Sequence, residues 1–146
     1  MAEDYINSRL IDVESTAASP KTLTASYVNS SAFNCKSSSQ LILYVTYVPK
    51  TAQSNRNLSF KVEFADNAST AVWYTRQLGE TAAGGSGEKV VTNFDYIELV
   101  PGATGGTAYT KRFEIPIADK EFRVTFKEDG SANFGTVYVQ AIISGI

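Results

Sequence analysis

An all-β, antiparallel, jelly-roll-like β-sandwich is the fold this sequence predicts, and three observations predict it. Apolar and polar side chains alternate with a period of two through most of the chain. No stretch keeps the 3.6-residue period of an amphipathic helix over a useful length. The alternating runs are short, and the segments between them are built from Gly, Pro, Asn, Asp and Ser, the residues that turn a chain. A chain of 146 residues has single-domain length and can bury about two thirds of its unfolded surface in one core. No linker divides the pattern, so one domain over 1–146 is expected, with room for a loose N-terminal arm before about residue 9.

Taken in order, strands are expected at Arg9–Glu14, then at Thr22–Asn29 after the turn "ASPK", and at Ala32–Cys35 after "NSS". Leu41–Val48 follows and ends at the polar loop "PKTAQSNRN". Leu58–Phe64 comes next, with Phe60 and Val62 inward against polar Ser59, Lys61 and Glu63. Asp66-Asn67 breaks that rhythm, and Ala71–Leu78 resumes it through Val72, Trp73 and Tyr74. Beyond the flexible "GETAAGGSGE" lies a long strand, Lys89–Val100, closed by "PGATGG". Tyr109–Ile115 sets Tyr109, Phe113 and Ile115 against Thr110, Arg112 and Glu114. Glu121–Lys127 sets Phe122, Val124 and Phe126 against Arg123, Thr125 and Lys127, and "EDGSANFG" separates it from Thr136–Ser144. Phe60, Val62, Phe122 and Val124 are therefore expected in the core.

Two strands depart from one-sided alternation. Leu41–Val48 is apolar on both faces, with Ile42, Tyr44 and Val48 opposite Leu41, Leu43, Val45 and Tyr47. Thr136–Ser144 does the same, with Tyr138 and Ile142 opposite Val137, Val139, Ala141 and Ile143. A strand of this kind is covered on both sides. The second cover is a loop of the same chain, the N-terminal arm or a partner chain.

The composition excludes several functions. Thirteen basic and fifteen acidic residues give 13 − 15 = −2, and no Lys/Arg cluster larger than Lys111-Arg112 stands out, so no nucleic-acid face is expected. The longest apolar run, "LILYVTYV" at 41–48, is strand-length and far short of the about 18 residues of a membrane span. The opening "MAEDYINSRL" is acidic where a signal peptide is basic, which points to synthesis in a reducing cytosol. There is no histidine and a single cysteine, Cys35. That removes Ser-His-Asp and Cys-His catalysis, the usual zinc sites and any internal disulfide. "GGSGEK" at 84–89 has the wrong glycine spacing for a phosphate loop and no Ser/Thr after Lys89. The expectation is a protein that is not an enzyme and carries no cofactor, catalytic residue or metal site. What the residues leave open is a carboxylate pair, a lysine nucleophile or a metal held by oxygens, the last as a calcium ion in the "EDG" or "ADN" loops.

The stretch "LILYVTYVPKTAQSNRNLSFKVEFADNASTAVWYTR" at 41–76 reads as a unit. It resembles a pattern of small structural proteins of tailed bacteriophages, in which a Trp-Tyr pair follows an alternating strand and an Asp-Gly turn. The later "KRFEIPIADKEFRVTFK" at 111–127 is similar to a second segment of the same pattern. Here "ADNAST" lacks the glycine of that turn. The resemblance implies a head-decoration, or cement, protein, often trimeric, bound through the major capsid protein to the outside of a virion. A head-fibre or tail-associated receptor-binding module on the same sandwich is the first alternative. A carbohydrate-binding module is another, and it would need two or three of Trp73, Tyr74, Tyr96 and Tyr109 coplanar and exposed on one face. Trp73 itself is expected to pack in or against the sandwich.

The N-terminal segment places Tyr5, Ile6, Leu10 and Ile11 among charged residues. An arm of this composition can order by adding a strand to a neighbour, so residues 1–11 are candidates for subunit or capsid contact. The competing expectation is that Leu10 and Ile11 simply begin the first strand of their own chain.

Overall fold

The computed structural model describes residues 9–35, 38–50, 56–66, 72–75, 82–83, 89–92, 96–100, 107–130 and 132–144. In chain order the strands are β1 (Arg9–Glu14), β2 (Lys21–Thr22), β3 (Val28–Asn29), β4 (Phe33–Asn34) and β5 (Gln40–Val48). Then come β6 (Leu58–Ala65), β7 (Tyr74–Thr75), β8 (Ala82–Ala83), β9 (Lys89–Thr92) and β10 (Ile97–Val100). The last three are β11 (Tyr109–Pro116), β12 (Glu121–Glu128) and β13 (Thr136–Ser144). No helix occurs among the described residues.

The strands form two antiparallel sheets. One runs β1-β13-β5-β11, with β2 also on β13. The other runs β3-β12-β6-β10-β9-β8, with β4 also on β12 and β7 also on β6. Leu41, Leu43, Val45, Tyr47, Val137, Val139, Ala141, Ile143 and Ile115 from the first sheet meet Leu58, Phe60, Val62, Phe64, Leu99, Phe122, Val124 and Phe126 from the second. Phe113 of the first sheet packs edge-on against Phe60 of the second, with ring centroids 5.3 Å apart. The architecture is an all-β, jelly-roll-like sandwich, as alternation predicts. Phe60, Val62, Phe122 and Val124 are all buried.

The likeness between "FKVEF" and "FRVTF" has a direct physical reason. β6 and β12 are antiparallel neighbours in which Phe60 faces Phe126, Val62 faces Val124 and Phe64 faces Phe122. Each strand lines the same core with the same inward set, so both solve one burial problem.

Four expected strands are shorter or divided, and of these Ala32–Cys35 keeps only Phe33–Asn34. Thr22–Asn29 is two strands: β2 lies on the edge of β13 and β3 on the edge of β12. Between them the chain crosses from one sheet to the other, pinned by Leu23 N–H on Gly135 O and by Glu128 N–H on Thr24 O. Strands that switch sheets turn a sandwich corner, and alternation alone does not mark such a crossing. Lys89–Val100 is the antiparallel pair β9 and β10, with Ile97 opposite Thr92. Of Ala71–Leu78, only Tyr74–Thr75 is strand among the described residues 72–75. The alanine pair of β8, inside what reads as a loop, adds to the edge of β9.

Candidate functional site

β5 and β13, the two strands apolar on both faces, are the centre of the first sheet. Their second faces, together with β1 and β11, form its outer surface in register. One row reads Leu10, Ile142, Ile42, Glu114 from edge to edge. The next reads Asp12, Gln140, Tyr44, Arg112, and a third continues through Tyr138, Thr46 and Thr110. Leu10 is 64% exposed, while Ile42, Tyr44, Tyr138 and Ile142 are half-buried. The polar members of the rows are tied laterally. Gln140 donates to Asp12 Oδ1 at 3.1 Å, and the Thr46 and Thr110 hydroxyls lie 2.9 Å apart. Arg112 is exposed, and a hydrogen bond with Tyr44 foremost, then its pairing with Glu114, raises its pKa above the ordinary arginine value.

Leu10 and Ile11 therefore lie in β1, paired with β13 of the same chain. Ile11 packs against the core and Leu10 faces outward. Tyr5 and Ile6 lie outside the described residues. Asp12 and Arg112, at opposite margins of the same face, escape a search for motifs. Only the strand register brings them into one row.

On the outer surface of the second sheet, the charged side chains of β6 and β12 pair with one another and with aromatic rings. Arg123 and Glu63 are direct cross-strand partners, with Nε donating to Oε1 at 2.8 Å. The same guanidinium covers the Trp73 ring at 4.3 Å from its centroid. Lys61 and Lys127 flank the Tyr27 ring at 4.3 and 5.0 Å. Trp73 thus packs against the sandwich, half-buried beneath a cation, as expected. Tyr74, the next residue and so on the opposite face of its strand, is 43% exposed and donates to Asp119 Oδ2 at 3.1 Å. Val72 beside it is 85% exposed. Tyr109 lies in the core. Trp73, Tyr74 and Tyr109 therefore do not share one exposed plane.

A polar cluster sits between the sheets at one end. Glu128 continues the inward series Phe122, Val124, Phe126 and is fully buried. Its Oε2 accepts the Tyr47 hydroxyl, and its Oε1 accepts Gly135 N–H at 2.9 Å. Arg56 Nη1 lies 3.6 Å from the same Oε1. That guanidinium also donates to the Asp129 and Ala132 carbonyls at 3.1 and 2.8 Å, and stands 5.8 Å over the Phe134 ring. Asp129 Oδ1 accepts Asn57 N–H at 2.8 Å. Burial, the hydrogen bond to Glu128 and the nearby negative charges push the Tyr47 phenol far above the ordinary tyrosine range. The "EDG" loop thus spends its carboxylates on fastening its own backbone to β5 and the start of β6. Among the described residues no three His, Cys, Asp or Glu side chains group as metal ligands. The even spacing from Phe122 to Glu128 was the available signal that this acid points inward.

No protein-family model matches the chain, and no curated protein matches it. Solved structures do. The sandwich is similar to part of dimeric latent PorU from Porphyromonas gingivalis, with a TM-score of 0.54 at 11% identity, over 97% of this chain and 13% of that one. A CBM35 from Cellvibrio japonicus Abf62 gives 0.49 at 12% identity, covering 96% of this chain and 95% of that one. A structure of infectious bursal disease virus, Gx strain, gives 0.47 at 14% identity, over 97% and 33%. At such identities the likeness to PorU shows the fold alone, a β-sandwich, and this chain spans only 13% of that chain's length.

Proposed function

We propose that the chain is a non-enzymatic structural protein of a bacteriophage virion, which self-associates and binds the major capsid protein on the outside of the shell. The observation that carries this is the outer face of the β1-β13-β5-β11 sheet. There the apolar row Leu10, Ile142 and Ile42, with Tyr44 and Tyr138 beside it, supplies more apolar surface than a solvent-facing sheet needs. Docking onto a preassembled lattice asks for complementary surface rather than reactive groups, and the absence of histidine accords with that. The phage assignment rests on the resemblance of 41–76 and 111–127 to decoration proteins. Synthesis is in the host cytoplasm, followed by residence on the capsid surface. A sugar-binding platform has less support, because Tyr109 is in the core and Trp73 is covered by Arg123.

The test is co-sedimentation with capsids of the phage whose genome carries the chain, together with the mass in solution. Saturable binding at a fixed copy number per capsid, and no binding to capsids already carrying the protein, is the expected result. Failure to associate with those capsids, or with the finished virion, overturns the assignment.

A further inference from the structure

The rows on the outer face of the first sheet are not merely apolar; they are self-complementary. Reading across β1, β13, β5 and β11, one row begins with the carboxylate of Asp12 and ends with the guanidinium of Arg112, with Gln140 and Tyr44 between. Both charged ends are exposed. Turning such a row by 180° about an axis parallel to the strands, between β13 and β5, places β1 over the partner's β11. Acid then meets base at both margins. Gln140 meets the partner's Tyr44, a donor and a hydroxyl, and in the next row Ile142 meets the partner's Ile42.

We propose that this face is an isologous dimer surface, on which two copies stack sheet to sheet about a two-fold axis parallel to the strands and each Asp12 pairs with the partner's Arg112. The inference rests on the reading above that this face serves self-association, and adds its symmetry and its partner, a second copy. Charge selects the axis. A two-fold perpendicular to the strands would lay β11 over the partner's β11: passing through this row it sets Arg112 on Arg112 and Asp12 on Asp12, and passing between the rows it sets Asp12 on the partner's Leu10, whereas the parallel axis gives both Asp12 and Arg112 an opposite charge. Stacked sheets cross at about −30°, which slides the outer strands by roughly 4 Å along their length, within the reach of an arginine side chain. The one mismatch is Leu10 over the partner's Glu114. It lies at the rim, where Glu114 is already held by Gln40 at 3.3 Å and Arg112 at 3.3 Å. Four strands about 4.8 Å apart and nine residues of about 3.3 Å give a face of roughly 19 by 30 Å. That is on the order of 550 Å2 in projection, somewhat below the about 800 Å2 per partner of a standard interface, so association is expected in the micromolar range. The two-fold also differs from the trimer that the family resemblance implies, which makes it decidable by mass.

The experiment is light scattering on the full chain across micromolar concentrations, with Asp12→Arg, Arg112→Asp, the double exchange Asp12→Arg/Arg112→Asp, and Ile142→Arg. Circular dichroism confirms that each variant is folded. The wild type should approach twice the 15.8 kDa chain mass. Each single exchange should weaken dimerisation about tenfold or more, and the double exchange should restore it. An equimolar mixture of the two single variants should dimerise again, because the row then ends in arginine on both sides in one variant and in aspartate on both sides in the other. That recovery is a result no misfolded variant can produce. A dimer broken by Ile142→Arg but indifferent to the charge exchanges overturns the proposed axis and leaves the self-association face standing. A trimer broken by Ile142→Arg does the same. A monomer at every concentration, or an oligomer that ignores Ile142→Arg, overturns both the two-fold and the face.

Discussion

Replacing Tyr47 with phenylalanine removes one oxygen from the buried cluster and should leave a signature that changes with pH. Tyr47 and Glu128 are both fully buried, and the phenol donates to a carboxylate whose other oxygen takes Gly135 N–H and faces Arg56. A hydrogen bond to a charged group is worth about 1.5–3 kcal/mol, and the variant strands a buried Oε2 without its donor. At pH 7, Tyr47→Phe should therefore lower stability by about 2 kcal/mol, a large part of a total near 5–15 kcal/mol. Ionising the phenol beside Glu128 would bury a second negative charge, so the folded protein holds its proton far above the ordinary value of 10.0. A group whose pKa is raised by folding stabilises the fold below its unfolded pKa, and that stability is lost as pH rises above it. Above pH 10 the unfolded chain releases the proton and the folded chain does not. The wild type then loses about 1.4 kcal/mol per pH unit through this residue, and the phenylalanine variant loses none. By about pH 11.5 the loss through Tyr47 reaches about 2 kcal/mol, and the two proteins should be equally stable. Urea unfolding followed by Trp73 fluorescence at pH 7, 10 and 11.5 measures this. A difference below about 0.5 kcal/mol at pH 7, or one that stays constant to pH 11.5, would refute the reasoning.

Phe60→Ala and Phe122→Ala each empty a fully buried site and should cost about 3–5 kcal/mol in chemical denaturation; losses of a few tenths would mean the strand faces are reversed. Gly135→Ala should cost at least about 2 kcal/mol, because the new Cβ would collide with the Val48 carbonyl and stand 2.8 Å from Pro49 Cα and 3.0 Å from Glu128 Oε2. An alanine variant as stable as the parent would show that β5 and the turn before β13 can part without cost.

What was legible in the residues was whatever repeats at the period of a strand. The inward faces of β6 and β12 follow directly from alternation, because Lys61, Glu63, Arg123 and Lys127 have to face water while Phe60, Val62, Phe122 and Val124 do not. The double-sided richness of β5 and β13 likewise singles out the centre of the first sheet. Pairing partners were not legible. That β1 joins β13, 128 positions away as counted from Asp12 to Gln140, is a long-range fact that no local window contains. The break in Thr22–Asn29 was equally hidden, since a strand that changes sheets keeps its residue types and changes only its neighbours. Glu128 was misread as a turn residue because it precedes Asp129-Gly130. Its environment is decided by Tyr47 and Arg56, 81 and 72 positions upstream. Gly130, at a φ of 128°, was the readable part of that turn, because Asp-Gly supplies a backbone that other residues rarely adopt.

The two outer faces of the sandwich solve opposite problems, and the contrast orders the molecule. On the second sheet Arg123 has Trp73 and Glu63, and Lys61 and Lys127 share Tyr27. The Trp73 and Tyr27 rings are covered there by cations of the same chain, so little is gained by burying them again. On the first sheet the central residues are Ile42, Ile142, Tyr44 and Tyr138, and the charges have withdrawn to the margins at Asp12, Arg112 and Glu114. An apolar centre ringed by charges is the layout of a surface that gains by being covered, with the rim setting orientation. The Glu128 cluster sits inside, at the end where β5, β12 and β13 converge, so the strands that carry this face are locked to the opposite sheet by a buried ionic bond. Loosening that lock should therefore reach the face: Tyr47→Phe acts on the neighbour of Thr46 in β5, within the surface that is proposed to pair. If self-association weakened in that variant while the Asp12 and Arg112 exchanges had no effect, the face would owe its function to the rigidity of β5 rather than to its charged margins.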